Sequence, residues 1–126
     1  MITEHSLYIG ASQHMTHTED NSIDLVVTSP PYPMIEMWDD IMSKQNHRIA
    51  DNLEENPEVA FELMHQELDK VWGECFRVLK VGGFLCINIG DATRTINGNF
   101  TLYNNHSRIS KACVDLGFVG LPNIIW

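Results

Sequence analysis

The chain has 126 residues, of which 44% are apolar, and it carries a formal net charge of −9. This length predicts a single domain with a small core. No apolar stretch reaches the roughly 18 residues that a membrane span requires. The N-terminus also lacks the basic cluster and apolar run of a secretion signal, so we expect a cytoplasmic protein. An odd number of cysteines in apolar surroundings predicts reduced core thiols rather than disulfides: Cys75, Cys86 and Cys113.

The eight basic residues are scattered along the chain and form no basic block. Proteins that bind nucleic acids normally present a basic face, because the phosphates release counterions when cations replace them. The composition therefore indicates that these residues either do not bind DNA or leave the binding surface to another region.

The first half of the chain contains one clear strand. Leu7–Ile9 is a short apolar run that predicts a strand, and the polar residues 12–21 predict a short helix and loop. Ile23–Thr28 is rich in β-branched residues and stops at a proline pair, which is typical of a buried strand in a parallel sheet. Residues 33–55 mix apolar and acidic side chains, and we expect the most mobile stretch there.

A long helix is predicted to follow, because Asn56 and Pro57 form a good helix start. Apolar residues then recur at steps of three and four, at Phe61, Met64, Leu68, Val71, Cys75 and Leu79. Gly82-Gly83 should end this helix. Phe84–Ile89 predicts a second buried strand, closed by Gly90-Asp91. Both Cys75 and Cys86 are expected to be buried.

The last part of the chain predicts a helix over residues 105–116, stopped by Gly117, and a strand over residues 119–126 interrupted near Pro122. Alternating strands and helices are typical of an α/β fold with a doubly wound sheet. Ligands bind such sheets beyond the carboxyl ends of the strands. The segments 29–32 and 90–91 should both lie at that edge.

Ser29-Pro30-Pro31-Tyr32 offers a stiff group of hydrogen-bond acceptors beside an aromatic ring. The two prolines fix their φ angles and have no N–H group, so their carbonyls face no competing donor. This arrangement suits a planar base with an exocyclic amino group, which could stack on Tyr32 and donate its hydrogens to the oxygens. Such hydrogen bonds would make the amino nitrogen more nucleophilic toward a methyl donor.

The segment resembles the catalytic motif of the DNA amino-methyltransferases, which act on N4 of cytosine or N6 of adenine. The resemblance extends from about Leu7 to the end of the chain, with matches in order at residues 21–27, 78–84, 90–92, 116–118 and 124–126. Val81 stands where the family usually has proline, and Ala11 stands where relatives carry an acid near the cofactor.

The resemblance implies an incomplete Rossmann-like sheet with flanking helices, S-adenosylmethionine as methyl donor, and double-stranded DNA with a flipped base as substrate. It implies catalytic roles for Ser29, Pro30, Pro31 and Tyr32, and cofactor contacts from Thr28, Ser29, Asn88 and Asp91. Asn88 and Asp91 could equally satisfy backbone groups or cap a turn. Serine at the first motif position favours cytosine N4, and adenine N6 is the alternative.

In the permuted order that this sequence follows, a target-recognition region and a glycine-rich cofactor loop come last, and neither occurs in residues 1–126. We therefore expect these residues to form the catalytic half of a methyltransferase domain. The missing parts would come from a C-terminal region or a second chain. Alone, the chain is expected to bind S-adenosylmethionine weakly and not to methylate DNA. An inactive fragment is the non-catalytic alternative.

Other interpretations of the motifs are less well supported. His14 and His17 have metal-ligand spacing but no cysteine or carboxylate partner, so we expect no metal site. Residues 30–33 fit a proline-rich ligand, but those ligands lie in exposed, disordered segments. None of the cysteines follows a proline, which excludes a cytosine C5 methyltransferase. RNA and protein-glutamine methyltransferases carry related motifs and are a further alternative. They favour Asn where this chain has Ser29, however, and their glycine loop lies upstream of the motif.

Overall fold

A computed structural model describes the whole chain, Met1–Trp126. Its elements in chain order are β1 (Ile23–Thr28), a 3₁₀ turn (Glu36–Trp38), α1 (Asp39–Gln45), α2 (Arg48–Asn52), α3 (Pro57–Val78), β2 (Leu79–Ile87), β3 (Ala92–Ile96), β4 (Asn99–Tyr103) and α4 (Asn105–Leu116). β1 and β2 pair in parallel, and β3 and β4 form a separate antiparallel hairpin. None of the helices combines the length and the apolar content that crossing a bilayer requires.

The helix α3 begins where the sequence predicts, with Pro57 in its first turn. Its predicted end at Gly82-Gly83 is wrong, because the backbone turns extended at Leu79 and continues directly into β2. The two glycines instead form a bulge in β2. Gly82 has a φ of +84°, and a Cβ on Gly83 would lie 3.0 Å from the carbonyl oxygen of Lys80 and 3.1 Å from that of Asp24. Only glycine fits both positions without strain.

The bulge changes the register between the two parallel strands. Ile23 pairs with Leu79, but Leu25 pairs with Phe84, and regular pairing then continues to Thr28 and Ile87. The confirmed strand β1 and the strand β2 therefore end side by side. The chain between them, which includes α1, α2 and α3, forms the crossover that a parallel pair requires.

The core is built around the inner face of α3. Trp72 and Met64 of this helix pack with Met42 of α1, Ile49 of α2 and Ile109 of α4, all at most 3% exposed. The structure of residues 33–55 is ambiguous from the sequence. In the fold, this stretch packs against the core through α1 and α2. One face of the strand pair joins this core through its partly buried side chains: Val26, Leu85 and Ile87.

The opposite face of the strand pair is open. Leu25, Val27 and Phe84 are more than half exposed, and Cys86 is exposed as well. The predictions that Cys86 is buried and that both strands are buried are therefore wrong on this face of the strand pair. Both strands are apolar, as the sequence predicts, but α3 and its neighbours cover only one face of the strand pair.

Three predicted elements are absent from the structure. Residues 7–9 and 119–126 form no strand, and residues 12–21 form turns rather than a helix. Short apolar runs of this kind have no strand beside them to supply hydrogen bonds, and side chains such as Ile9 and Ile125 remain exposed. The helix α4 is confirmed over Asn105–Leu116, and Gly117 ends it with a φ of +119°.

The hairpin β3–β4 is not predicted by the sequence analysis. Asn97 and Gly98 join its strands with φ values of +51° and +78°, as a type I′ turn requires. The Asn-Gly pair between alternating side chains is the signal that identifies such a hairpin. On its inner side, Arg94 reaches Asp39 at the start of α1.

Candidate active site

The motif Ser29–Tyr32 leaves the carboxyl end of β1 as an extended loop. Ser29 is exposed, Pro30 is buried, and Pro31 and Tyr32 are partly buried. Pro33 and Met34 then enter the core, and Met34 adopts a φ of +68° that is unusual for a residue with a side chain. The buried Pro33 and Met34 anchor the loop in the core, while Ser29 stays exposed and Tyr32 stays partly exposed.

The end of β2 lies beside this loop, as the sequence predicts. The N–H of Asn88 donates to the carbonyl oxygen of Thr28 at 2.8 Å, which extends the parallel ladder past both strands. Two residues later the backbone of Gly90 faces the ring of Tyr32. A Cβ at Gly90 would lie 3.3 Å from Cε2 of that ring. The structure therefore brings the segments 28–32 and 88–91 together at one edge of the sheet.

Asp91 is bound to the first turn of α4. Its carboxylate accepts hydrogen bonds from the backbone N–H of His106 at 3.1 Å and from Nδ1 of His106 at 2.8 Å. Burial alone would raise the pKa of Asp91, but these hydrogen bonds outweigh it and lower the pKa. The hydrogen bond from the N–H of His106 gives Asp91 a capping role at the start of α4. A contact between Asp91 and a cofactor stays a prediction.

Asn105 is a site residue that the sequence does not predict. Its side chain is fully buried and donates from Nδ2 to the carbonyl oxygen of Pro33 at 3.0 Å and to that of Gly90 at 3.1 Å. Its Oδ1 lies 2.9 Å from Nε2 of His65, which is also fully buried. Sequence gives no signal for this role, because an asparagine at a helix start normally predicts an exposed cap.

A groove of about 480 Å³ lies next to the motif, on the side of the hairpin. Its walls are Met34, Ile35, Glu36, Leu53, Glu54 and residues 93–97. Arg94, one of these wall residues, donates to both carboxylate oxygens of Asp39 at 2.9 and 2.8 Å. Since this bidentate pair is mostly buried, it links the hairpin to the start of α1 at one wall of the groove.

The basic side chains are largely neutralised by carboxylates. Six of the eight form ion pairs: Lys70, Arg77, Lys80, Arg94, Arg108 and Lys111. Arg108 is held by two acids at once, Glu62 and Asp69, at 2.9 and 2.7 Å. Lys44 and Arg48 are exposed without such a partner, and two cations do not make a surface for a polyanion.

The cysteines and histidines do not form a second reactive centre. Burial raises the pKa of Cys75 and that of Cys113 to about 11, so neither thiol ionises near neutral pH. His17 stacks on Tyr8, with ring centroids 4.4 Å apart. No group of three or more His, Cys, Asp or Glu side chains lies close enough to hold a metal ion.

Comparison with known proteins finds two curated type II methyltransferases that are similar in sequence to this chain. The chain is 46% identical to the type II methyltransferase M.MjaI of Methanocaldococcus jannaschii, over 98% of this chain and 45% of that protein. It is 49% identical to the type II methyltransferase M.MthZI of Methanothermobacter thermautotrophicus, over 100% of this chain and 36% of that protein. The chain thus spans less than half the length of these curated relatives.

The fold matches that of a solved structure, TTHA0409 from Thermus thermophilus, named as a candidate DNA modification methylase. In its complex with S-adenosyl-L-methionine the TM-score is 0.66 and the identity 32%, over 90% of this chain and 41% of that chain. A selenomethionine form gives a TM-score of 0.67. The α/β fold is therefore that of an incomplete methyltransferase sheet with flanking helices. A family model for N6 and N4 methyltransferases, described as DNA methylase, matches residues 23–126, and the chain belongs to this DNA methylase family.

Proposed function

We propose that the chain is the catalytic half of an S-adenosylmethionine-dependent methyltransferase that modifies an exocyclic amino group in DNA, at N4 of cytosine. The observation that carries the proposal is the edge past the ends of two parallel strands, where Ser29 follows β1 and the ring of Tyr32 lies beside Gly90. The relatives named as type II methyltransferases support the reaction class.

The motif would act on the amino group through hydrogen bonds and stacking. The lone pair of an exocyclic amino nitrogen is delocalised into the base, which makes it a poor nucleophile. Oxygen acceptors on Ser29 and on the proline carbonyls would draw on the amino hydrogens and make the nitrogen more tetrahedral. Tyr32 would stack on a base that has been flipped out of the duplex. Because Asn105 binds the loop at the carbonyl of Pro33, little reorganisation would accompany the reaction.

The residues predicted to contact the cofactor fit that role to different degrees. Ser29 and Asn88 expose a hydroxyl and an amide at the carboxyl edge, and Thr28 is partly buried beside them. These are the donors and acceptors that the polar groups of S-adenosylmethionine would need. Asp91 would contribute only if His106 shared its carboxylate. When bound, S-adenosylmethionine supplies an electrophilic methyl group, and TTHA0409 was solved in complex with it.

Serine at the first motif position favours cytosine N4 over adenine N6 as the target. The matching family covers both chemistries, so adenine N6 is the second candidate. Both bases present an exocyclic amino group, and the same acceptors would serve either one. The difference lies in which base is delivered to the motif.

The open face of β1 and β2 supports a further polypeptide in the working enzyme. Leu25, Val27 and Phe84 form an exposed apolar surface, and the chain spans less than half of the related methylase structure. We propose that a C-terminal region or a second chain covers this face and carries the glycine-rich cofactor loop. It would also provide the basic surface for DNA, because most cations of this chain are already paired.

Analysis of modified bases tests the proposal directly. The protein that contains residues 1–126 together with the covering region would be incubated with labelled S-adenosylmethionine and duplex DNA. The DNA would then be digested to nucleosides for mass spectrometry. We expect N4-methylcytosine. N6-methyladenine would support the second candidate, and DNA that stays unmodified would contradict both.

The separate proposal that residues 1–126 are incomplete is tested on the chain alone. Isothermal titration with S-adenosylmethionine should give no heat of tight binding, and the same DNA assay should give no product. Micromolar affinity of the isolated chain would contradict it. An inactive fragment is distinguished from a catalytic half by adding the covering region, which should restore methylation only to the latter.

A further inference from the structure

One buried side chain, that of Asn105, joins separate segments of the chain. It stands at the first residue of α4 and contacts the motif loop at Pro33, the turn after β2 at Gly90 and the middle of α3 at His65. These partners are 72, 15 and 40 residues away in sequence. No other side chain of the molecule hydrogen-bonds to both loops of the candidate active site.

The surroundings determine how the amide of Asn105 is oriented. The two atoms that it faces on one side, the carbonyl oxygens of Pro33 and Gly90, can only accept, so the NH₂ group must point toward them. Both of its hydrogens are thereby used. The amide oxygen faces Nε2 of His65 at 2.9 Å, and His65 must therefore carry its proton on Nε2. The N–H of His65 thus donates to the amide oxygen and stabilises the orientation in which Asn105 holds the loops.

The two carbonyls held by Asn105 belong to residues that adjoin Tyr32. Pro33 is the next residue after Tyr32 in the chain, and Gly90 is the residue whose backbone faces the Tyr32 ring. Fixing both carbonyls to one amide therefore fixes the ring relative to the turn that it packs against. Since Asn105 is fully buried, it cannot touch a base or a cofactor itself.

We propose that Asn105, oriented by His65, is a positioning residue that sets the place of the Tyr32 ring relative to the segment 88–91. This inference rests on the proposed function for its catalytic meaning, but its geometry can be tested without any activity. Removing the two donor hydrogens should free the motif loop while leaving the α-helical core folded.

The near-isosteric variant Asn105→Asp tests the donors. Its carboxylate would place an acceptor opposite two carbonyl oxygens. In the 126-residue chain, hydrogen exchange by NMR would compare the amide of Ile35, which donates to the carbonyl of Tyr32, with amides in the middle of α3. We expect exchange at Ile35 to accelerate at least about tenfold more than exchange in α3. The nuclear Overhauser contact between Gly90 and the Tyr32 ring should also disappear.

Ile109→Val is the matched control, because Ile109 is buried on the same helix one turn later and contacts neither loop through a hydrogen bond. It should change exchange at Ile35 and in α3 by the same factor and keep the contact between Gly90 and Tyr32. If Asn105→Asp behaved in this uniform way too, Asn105 would be an ordinary core residue and the proposal would be wrong.

Two substitutions at His65 test the proposal even if Asn105→Asp does not fold. Glutamine can place an N–H donor where Nε2 of histidine lies, whereas leucine cannot. We expect His65→Leu to accelerate exchange at Ile35 selectively and His65→Gln to restore most of the protection. Equal exchange at Ile35 in the two variants would overturn the role of His65 in orienting the amide.

Activity of the complete enzyme adds a readout that separates this proposal from the proposed function. A shift of the stacking ring by about 1 Å should lower kcat on the order of 100-fold, with the KM for S-adenosylmethionine nearly unchanged. If the wild-type enzyme methylates DNA and Asn105→Asp does so equally fast, the positioning proposal fails. If the wild type modifies no DNA, the proposed function fails, and the exchange experiment still decides whether Asn105 holds the loop.

Discussion

The ring of Tyr32 packs against the backbone of Gly90, so closely that a Cβ on the glycine would lie 3.3 Å from Cε2 of the ring. Gly90→Ala should therefore displace the ring by a few tenths of an ångström without disturbing the core. We expect kcat of the complete enzyme to fall by about tenfold or more, while the free energy of unfolding changes by less than about 1 kcal/mol.

Gly73→Ala is the control for this substitution. Gly73 lies inside α3, and a Cβ there would meet nothing within 4 Å. Alanine should raise the free energy of unfolding by about 0.5–1 kcal/mol, because it restricts the unfolded chain and favours the helix. Urea denaturation measures both variants. A loss of activity in Gly73→Ala as large as that in Gly90→Ala would remove the case for the contact with Tyr32.

Tyr32→Ala should abolish methylation in the complete enzyme and leave the affinity for S-adenosylmethionine largely intact, because it would remove the ring on which we propose that the base stacks. Tyr32→Phe keeps the ring and should retain most of the activity. Phe100→Ala, an exposed aromatic of the hairpin, is the control for the loss of a large side chain. Turnover by Tyr32→Ala at the wild-type rate would contradict the stacking mechanism.

The buried imidazole of His65 should make stability depend on pH. Burial lowers the pKa of His65 to about 4, below the value of about 6.5 in the unfolded chain. Arg108 nearby opposes its protonation, and Asp69 and Glu62 favour it. Well above pH 6.5 both states are neutral at this site. As the pH falls from about 6.5 to about 4, only the unfolded state takes up the proton, so the folded state loses stability.

The shift in the pKa of His65 sets the size of this loss of stability. A difference of about two and a half pKa units predicts a loss of about 3 kcal/mol over that pH range. Urea denaturation at several pH values would measure it in the wild type and in His65→Gln, which has no group that titrates there. The carboxylates titrate in both proteins, so the difference between the two curves isolates His65. Parallel curves would show that His65 titrates normally in the folded chain.

The ion pair between Arg94 and Asp39 should contribute to stability more than a surface pair does. Both side chains are less than one fifth exposed, and the pair is bidentate. A double-mutant cycle with Arg94→Ala and Asp39→Ala should give a coupling of about 1–2 kcal/mol. The pair Lys111 and Asp115 on α4, which is exposed, is the reference and should give less than about 0.5 kcal/mol. Equal couplings would mean that the hairpin is not anchored at this point.

Sequence predicts the parts of this fold that depend on local pattern. The strand β1, the start of α3, the whole of α4 and the meeting of the two strand ends all follow from β-branched runs, capping residues and a helical period. The end of α3 does not, because Gly82-Gly83 suits a bulge as well as a helix end. The exposure of Cys86 also could not be predicted, since an apolar strand does not reveal whether both of its faces are covered.

The residues of the candidate site also differ in whether the sequence predicts their roles. The motif and its neighbour Gly90 are recognisable, because their residue types have few uses other than a stiff turn or a close approach. Asn105 and His65 are not recognisable, because their roles come from partners far away in sequence and asparagine and histidine are common on helices. Sequence also gives no signal for the hydrogen bonds between Asp91 and His106, because they depend on where the fold places α4.

The glycine bulge of β2 determines the distance between Tyr32 and the turn at Gly90. From the pair Ile23 and Leu79, an unbroken ladder would set Thr28 opposite Phe84 instead of Ile87. The turn at Gly90 would then lie three residues further along, a displacement of roughly 10 Å, and could not meet Tyr32. Gly82 and Gly83 lie outside the candidate site, yet the bulge that they form takes up the extra residues of β2, so that Ile87 pairs with Thr28 and the two strands end together. Replacing them would misalign the two halves of the site before any residue in it had changed.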